Sequence, residues 1–272
     1  MRNIHFVKMH GAGNDFVILD FRGDLLEKIS ESELPVLSKK ICDRHFGIGA
    51  DGLIIVLKSQ KADYRMRIFN PDGSEAEMCG NGIRCFTRYV WENSDEKKEV
   101  ISVETLAGII VPTPIIENGE FIGVEVDMGE PLVEAIKEDL KIDTLEYSIN
   151  KISMGNPHCV IFVEDVANTP VAEIGPIIEN LPQFPSRTNV EFVQVVSDSE
   201  IIVRVWERGA GETLACGTGA CASAVASNLN GFTKKSVTVH LPGGDLAIDW
   251  GEDNHIIMRG PAEKVFQGEI DL

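Results

Sequence analysis

The chain contains an internal repeat with a spacing of 137 residues, about half of its length of 272. The segment RIFNPDGSEAEMCGNGIRC, which begins at Arg67, aligns without a gap with RVWERGAGETLACGTGACA, which begins at Arg204. Cys79 then falls on Cys216, and the glycines that follow each cysteine also coincide. The match continues at nearly the same spacing for about forty residues. A repeat of this length predicts two similar halves, each built on the same structural unit.

The repeat also predicts where the halves divide. A weaker similarity between residues 13–19 and 155–161 precedes the main match in both halves, with small gaps. We therefore predict an N-terminal domain over residues 1–122 and a C-terminal domain over residues 123–264. The last strand, about residues 265–272, is expected to return to the first domain.

Local patterns predict an α+β fold. Apolar, β-branched runs bounded by Gly, Pro, Asn and Asp predict strands at 52–57, 100–103, 123–126, 190–196, 201–205 and 237–240. Amphipathic periodicity predicts helices at 31–43 and 171–180. Two further predicted helices, 80–91 and 217–229, lack a polar face and should therefore be buried. The expected architecture is two pseudo-symmetric domains, each a mixed β-sheet or barrel wrapped around a central buried helix.

Composition narrows the classes of partner. The formal net charge is −18, which argues against nucleic acid because a phosphate backbone selects a basic face. No apolar run approaches the ~18 residues of a membrane span, and the N-terminal residues lack the features of a signal peptide. We expect a cytoplasmic protein with a small-molecule substrate and no membrane or nucleic-acid partner, and a homodimer is the assembly to consider. In a reducing compartment the six cysteines should be free, catalytic or metal-bound rather than paired.

Cys79 and Cys216 are the candidate reactive thiols. Each precedes Gly-x-Gly at the expected N-terminus of a buried helix, where unpaired N–H groups and the helix dipole should lower a thiol pKa. A buried filler need not recur in the same loop context in both halves, whereas a pseudo-twofold arrangement would bring both thiols to one cleft. The other four cysteines are expected to be packing residues.

Two like acid/base groups suit a reaction that inverts a carbon centre. One thiolate would remove the α-proton of an amino acid, and the opposing thiol would protonate the other face. Backbone N–H groups of Gly80, Asn81, Gly217 and Thr218 at the helix N-termini would stabilise the charge that develops on the carboxylate. Such a reaction needs neither a pyridoxal cofactor nor a metal.

Other interpretations account for fewer features. Residues 47–52 match the G-x-G-x-x-G dinucleotide pattern, but a predicted strand follows instead of a helix. The cysteine spacings do not resemble zinc knuckles. A cysteine hydrolase with His158 as base would explain one cysteine only, and a dithiol redox enzyme would normally use C-x-x-C. A non-catalytic amino-acid binding module on the same fold stays open.

The sequence resembles the diaminopimelate epimerase family. The resemblance is carried by GAGNDF (11–16), FNPDGSEAEMCGNGIRC (69–85), GNPHCV (155–160), NVEF (189–192) and ERGAGETLACGTGACA (207–222). These motifs span nearly the whole chain. The resemblance implies conversion of LL- to meso-2,6-diaminopimelate without a cofactor, in lysine and peptidoglycan precursor biosynthesis, by the two thiols Cys79 and Cys216.

The resemblance also implies roles for the residues around the thiols. His158 and Glu207 match positions that tune the thiols. Substrate-binding residues are expected at Asn14, Asn70, Gly80, Asn81, Asn156, Asn189, Glu207, Arg208, Gly217 and Thr218. Among them, Arg208 offers a two-pronged donor for a carboxylate, and the asparagine amides can both donate and accept hydrogen bonds.

Overall fold

The computed structural model describes residues 3–23, 29–142 and 145–271. The chain divides into two compact units. Unit 1 comprises Met1–Val126 and Gly260–Leu272, and unit 2 comprises Asp127–Arg259. The domain ranges 1–122 and 123–264 stay a prediction.

Strands dominate both units. The strands of the first part of the chain are β1 (Asn3–Gly11), β2 (Asn14–Asp20), β3 (Gly52–Leu57), β4 (Tyr64–Phe69), β5 (Glu75–Ala76), β6 (Val103–Thr105), β7 (Gly108–Ile110), β8 (Thr113–Glu117) and β9 (Glu120–Asp127). The later strands are β10 (Leu132–Ile142), β11 (Leu145–Ser153), β12 (Pro157–Phe162), β13 (Asn189–Ser197), β14 (Glu200–Glu207), β15 (Gly211–Thr213), β16 (Ser236–Leu241), β17 (Gly244–Trp250), β18 (Ile256–Gly260) and β19 (Glu263–Asp271). Residues 143 and 144 lie outside the described part of the chain.

Helices are fewer. Those in the described residues are α1 (Leu34–Cys42), α2 (Gly80–Glu92), α3 (Val171–Glu179) and α4 (Gly217–Leu229), and a 3-10 turn at Glu31–Glu33 leads into α1. Pro35 lies in the first turn of α1, where its missing N–H costs nothing. For this reason the early proline does not interrupt the helix predicted at 31–43.

The two units repeat one topology. In unit 1 the strands follow the order β19-β1-β2-β3-β4-β6-β7, with β5 beside β4. In unit 2 they follow β10-β11-β12-β13-β14-β16-β17-β18, with β15 beside β14. The parallel pairs occur at matching places, β2 with β3 and β4 with β6 in unit 1, and β12 with β13 and β14 with β16 in unit 2. This agreement extends the sequence repeat to six strands in the same order, β1-β2-β3-β4-β6-β7 in unit 1 and β11-β12-β13-β14-β16-β17 in unit 2.

Each repeat carries one buried helix of 13 residues. Helix α2 is buried along most of its length in unit 1, and α4 is buried likewise in unit 2. The Ala- and Ser-rich sequence of α4 leaves small side chains facing β11, β12, β13 and β17. An α+β fold with central buried helices is therefore confirmed. No helix among the described residues is long and apolar enough to cross a membrane.

Most predicted strands are present, with shifted ends. The strand at 52–57 and the helix at 217–229 have the predicted bounds, whereas the strand at 100–103 begins only at Val103. The strand near the C-terminus, β19, pairs antiparallel with β1 through Asn3 and Asp271 at one end and His10 and Glu263 at the other.

Candidate active site

Cys79 and Cys216 occupy the same position in the two units. Each is the residue that caps its buried helix, α2 or α4, and each has an extended backbone. The backbone N–H of Gly82 donates to Cys79 Sγ at 3.4 Å, and that of Gly219 donates to Cys216 Sγ at 3.4 Å. A thiol sulfur thus occupies the place in which a serine or aspartate oxygen usually caps a helix. This geometry places both predicted catalytic residues at helix N-termini.

In unit 1 the Cys79 thiol lies beside an asparagine amide. Cys79 is half-buried, and its Sγ is 3.8 Å from Asn14 Oδ1. Asn81, in the first turn of α2, donates from Nδ2 to the same oxygen at 3.2 Å. Asn14 and Asn81 were both predicted site residues, and the structure brings both to the Cys79 thiol.

A charged network fixes the other end of the Asn14 amide. Asn14 Nδ2 donates to Asp51 Oδ2 at 2.8 Å. Asp51 is bridged by Arg44 to Asp15, which also pairs with the buried Lys8. Burial acts in the opposite direction, but hydrogen bonds from Arg44 and Lys8 hold the pKa of Asp15 well below its usual range. Since a carboxylate can only accept, Asp51 keeps the Asn14 amide nitrogen on its own side and the carbonyl oxygen toward Cys79.

In unit 2 the Cys216 thiol is enclosed and faces acidic groups. Only 7% of its surface is exposed. Burial, then the charges of Glu207 and Glu191, raises the pKa of this thiol well above its ordinary value, against the hydrogen bonds of Thr218 and Gly219. The lowered pKa that we expected from a helix N-terminus is therefore wrong for Cys216. Loss of solvent and two nearby carboxyl groups outweigh the partial charge of the helix.

His158 and Asn156 connect to this thiol through Thr218. His158 is buried on β12, and its Nε2 lies 3.0 Å from Asn156 Oδ1. Asn156 Nδ2 donates to Thr218 Oγ1 at 3.2 Å, and this hydroxyl lies 3.5 Å from Cys216 Sγ. Three predicted residues thus reach Cys216 as one hydrogen-bonded series.

Glu207 is the last residue of β14 and Arg208 follows it, and the Glu207 carboxyl lies beside the Cys216 thiol. Burial raises the pKa of Glu207, while a hydrogen bond from Thr213 opposes that shift. The backbone N–H of Arg208 donates to Asn189 Oδ1 at 2.9 Å, and Asn189 Nδ2 donates to Pro157 O at 2.9 Å. The exposed Arg208 guanidinium donates to Ser186 O at 3.0 Å. Both amide ends of Asn189 are thus used to join β13 to its neighbouring segments.

Asn70 has a local partner in the structure. It lies exposed in the turn between β4 and β5, and its Nδ2 donates to Ser74 Oγ at 3.0 Å. Gly80 and Gly217 are the first residues of α2 and α4, both buried.

Two matching ion pairs brace the loops that lead to the thiols. Arg67 Nε lies 2.7 Å from Glu75 Oε1 in unit 1, and Arg204 lies 2.7 Å from Glu212 Oε1 in unit 2. In each unit the arginine is on the long strand and the glutamate is on the short strand beside it. The repeated Arg and Glu positions therefore have a structural role, which explains their presence in the repeat without any contact with substrate.

Sequence reasoning missed Glu191 and Asp51. Glu191 is fully buried on β13, and its Oε1 lies 2.6 Å from His158 Nδ1. A charged residue at an inward position of an otherwise apolar strand was the signal that could have found it. Asp51 carried no comparable signal, because its partner Asn14 lies 37 residues away.

The alternative interpretations do not match these contacts. The segment 47–52 leads into strand β3, whereas a dinucleotide motif needs a helix there. Both ring nitrogens of His158 lie against Glu191 and Asn156, whereas the base of a cysteine hydrolase should contact the thiol.

Sequence comparisons match the chain to diaminopimelate epimerases. The family model for diaminopimelate epimerase matches residues 6–133 and 151–265. A diaminopimelate epimerase of Moorella thermoacetica is 54% identical over 282 residues, which cover 99% of this chain and all of the relative. One from Methanococcus maripaludis is 50% identical over 280 residues, covering 98% of this chain and 99% of the relative.

Solved structures of lower identity share the fold. A phenazine biosynthesis protein of the PhzF family from Bacillus anthracis aligns over 100% of both chains with a TM-score of 0.76 at 20% identity. A hydroxyproline epimerase from Agrobacterium vitis aligns over 99% of this chain and 91% of its own with a TM-score of 0.74 at 16% identity. At such identities the likeness shows the fold alone. The match of the family model, together with relatives of about half-identical sequence over almost the whole length, shows that the chain belongs to the diaminopimelate epimerase family.

Proposed function

We propose that this chain converts LL-2,6-diaminopimelate into the meso isomer, with Cys79 and Cys216 as the two acid/base groups. The observation that carries the proposal is the matched setting of the two thiols. Each caps a buried helix and accepts an N–H from the third residue of that helix at 3.4 Å. Inversion at carbon needs one group that takes a proton and a second that supplies one, and the repeat provides two groups of one kind.

The surroundings of the thiols suggest which acts as acid. Cys216 is enclosed and its pKa is raised, so it holds its proton at neutral pH. We therefore assign Cys216 as the acid toward the LL isomer, which leaves Cys79 as the base that removes the α-proton. In the reverse direction the two thiols exchange roles. The Glu207 carboxyl beside Cys216 favours the protonated thiol, because a second negative charge there would be repelled.

The carbanion formed on proton removal needs its charge stabilised. Backbone N–H groups in the first turns of α2 and α4, from Gly80, Asn81, Gly217 and Thr218, are suited to the α-carboxylate. The Arg208 side chain is exposed and long enough to bind the distal carboxylate through two donors. The amides of Asn14, Asn70, Asn156 and Asn189 are assigned to the remaining polar groups of the substrate.

The wider setting follows from this activity. The reaction uses thiols of the chain itself and needs no cofactor or metal. A small amino-acid substrate is the expected partner, in the cytoplasm, where lysine and peptidoglycan precursors are made. The net charge of −18 does not oppose binding of the two carboxylates of the substrate, since helix N-termini and one arginine act on them at short range.

A substrate comparison tests the proposed activity. The purified chain, kept reduced, is incubated separately with LL-diaminopimelate, L-proline and L-glutamate, and the stereoisomers are separated by chiral chromatography. We expect meso-diaminopimelate to form and the other two amino acids to keep their configuration, because neither carries a second amino-acid group. Racemisation of proline at a rate comparable to that of diaminopimelate would contradict the assigned substrate. No inversion of any of the three would contradict the activity.

A further inference from the structure

Glu191 is a buried carboxyl group that has no part in the mechanism above. Its exposed fraction is 0%, although a glutamate in water is charged at neutral pH. Oε1 lies 2.6 Å from His158 Nδ1, and Oε2 has no hydrogen-bond partner among the described residues. Burying such a group is costly unless it is paired. Within the described part of the chain, the side chain that forms a hydrogen bond with it is His158, the histidine that leads to Cys216.

A glycine in the first turn of α4 leaves space for this carboxyl group. A Cβ built on Gly219 would lie 2.7 Å from Glu191 Oε1, closer than real carbon and oxygen atoms approach. Gly219 is also the residue whose N–H donates to Cys216 Sγ. The first turn of α4 therefore accommodates Glu191 and holds the thiol at the same point.

A continuous series of contacts runs from Glu191 to the thiol. After the contact between Glu191 and His158, Nε2 of the ring meets Asn156 Oδ1 at 3.0 Å. Asn156 Nδ2 meets Thr218 Oγ1 at 3.2 Å. Thr218 Oγ1 then lies 3.5 Å from Cys216 Sγ. Every group in this series belongs to unit 2.

The presence or absence of a proton on His158 Nε2 decides which group donates and which accepts in each hydrogen bond of the series. With a proton on His158 Nε2, the Asn156 carbonyl accepts it and the Asn156 amide donates to Thr218. The Thr218 hydroxyl proton is then available to Cys216 Sγ. Without that proton, Asn156 would turn its amide to the ring and accept from Thr218, which would direct the hydroxyl proton away from the sulfur.

We propose that Glu191 is a positioning residue that keeps a proton on Nε2 of His158, so that Asn156 and Thr218 point a hydroxyl proton at Cys216. Glu191 does this by sharing a further proton with Nδ1, either as a carboxylate facing an imidazolium or as a carboxylic acid donating to a neutral ring. Both forms leave Nε2 protonated. This proposal rests on the proposed function, since the hydrogen bonds from Glu191 to Cys216 contribute to catalysis only if the Cys216 thiol gains and loses a proton during turnover.

The groups that face this pair are few. Among the described residues, the titratable side chains that act electrostatically on it include Glu207 at the end of β14, Cys216 at the start of α4 and Cys159, the residue after His158 on β12. On β11, the residues that pair with this part of β12 are Ile152 opposite His158, Lys151 opposite Cys159 and Asn150 opposite Val160. Lys151 is the charged one of the three, and it forms an ion pair with Glu138 on β10. The hydrogen bond from Thr218 acts to lower the pKa of Cys216, against burial and the two carboxyl groups. Loss of that donor should therefore leave the thiol harder to ionise.

A matched pair of neutral variants tests the role of Glu191. A glutamine amide can donate to Nδ1 and so keep the proton on Nε2, whereas methionine has a similar size and cannot donate. The rate of Cys216 alkylation by iodoacetamide is measured against pH without substrate, by mass spectrometry of the Cys216 peptide. Cys79 in unit 1 serves as the internal control, and thermal unfolding of each variant checks its fold.

In Glu191→Gln the Thr218 hydroxyl should still donate to the Cys216 thiol. We therefore expect Cys216 to be alkylated about tenfold more slowly in Glu191→Met than in Glu191→Gln at each pH below the thiol pKa. The Cys79 rate should be the same in both. Because both variants lack the carboxyl group of Glu191, the difference between their Cys216 alkylation rates measures the effect of the hydrogen bond to His158 Nδ1. Equal rates of Cys216 in the two variants would overturn the proposal, and so would a parallel change at Cys79.

A second pair keeps the test decisive if the methionine variant does not fold. Thr218→Val removes the hydroxyl at the end of the series, whereas Thr218→Ser keeps it. We expect slow alkylation of Cys216 only in the valine variant, and equal rates in the two would overturn the proposal. If Glu191→Met is folded, combining it with Thr218→Val should slow the reaction no further, since both act on one donor, and additive effects would contradict this. These measurements need no epimerase activity, so they can fail while the proposed function stands, or succeed while it fails.

Discussion

Two thiols with the same motif have different environments at the scale of single residues. Cys79 is half-buried and lies against the neutral amide of Asn14. Cys216 is enclosed and faces Glu207, and its pKa is raised. The motif C-G-x-G fixes the helix cap in both cases, but the groups beyond the cap come from other strands. Two copies of one sequence motif can therefore be an acid and a base.

The direction of the Cys216 shift could not be predicted from the sequence around it. A helix N-terminus favours a thiolate, and that argument is sound for the local backbone. The opposing effects arise from burial and from the charges of Glu207 on β14 and Glu191 on β13, which come close to the thiol only in the folded chain. By contrast, the candidate site residues Asn14, Asn81, Asn156 and His158 were predictable, because the motifs that contain them are long and specific.

A buried thiol away from the site makes a prediction about pH. Burial raises the pKa of Cys85 from 9.0 to about 12. Between these values the unfolded chain releases the thiol proton and the folded chain keeps it, so stability falls as pH rises. Each such thiol should contribute a slope of about 1.4 kcal/mol per pH unit. The free energy of unfolding of Cys85→Ala should therefore decline less steeply than that of the wild type.

Urea unfolding at several pH values from about 8 to 11 measures that slope. Tyrosine and lysine groups also ionise there, but they are common to both proteins and cancel in the difference. Parallel curves for the wild type and Cys85→Ala would contradict the assignment of Cys85 as a thiol that stays protonated in the folded state.

At the scale of elements, the repeat predicted the part of the fold that carries chemistry. The long strand, the short strand with its Arg–Glu pair, and the buried helix recur in both units. The sequence did not predict the hairpin of β10 and β11, residues 132–142 and 145–153. Most side chains of β10 are exposed or half-buried, and its pairing with β11 shifts register twice. Such a strand lacks the regular alternation on which sequence-based prediction depends.

The buried helix α2 is secured by an arginine with no exposed surface. Arg84 donates to Pro261 O at 3.1 Å, to Gly80 O at 3.1 Å and to Asn81 Oδ1 at 2.8 Å. A Cβ on Gly11 would lie 3.1 Å from the guanidinium, so the glycine allows β1 to pass close to this group. The arginine therefore joins the first turn of α2 to the segment before β19.

We expect Arg84→Met to lower the free energy of unfolding by about 3 kcal/mol, because it leaves buried acceptors without donors. Urea unfolding of this variant is compared with that of Lys58→Met, which removes an exposed charge and should change stability by no more than about 0.5 kcal/mol. If the two variants unfold with equal free energies, the buried arginine does not stabilise α2 in this way.

At the scale of the whole molecule, the fold alone does not determine the reaction. Solved structures at 20% identity or less, a phenazine biosynthesis protein and a hydroxyproline epimerase, share this fold with TM-scores of 0.76 and 0.74. One architecture thus carries several site chemistries. For this chain the choice of reaction depends on the two thiols and the residues beside them, and we propose that both thiols move a proton at the same carbon.

Conversion of LL-diaminopimelate in deuterium oxide tests that claim most directly. The wild type, Cys79→Ala, Cys216→Ala and the control Cys42→Ala, which alters a buried thiol outside the site, are compared by chiral chromatography and mass spectrometry. We predict that the wild type and the control form meso product with one solvent deuterium at the inverted α-carbon. Each of the other variants should invert at least about 10²-fold more slowly. Full epimerisation by either Cys79→Ala or Cys216→Ala, or meso product without solvent deuterium, would contradict the two-thiol mechanism.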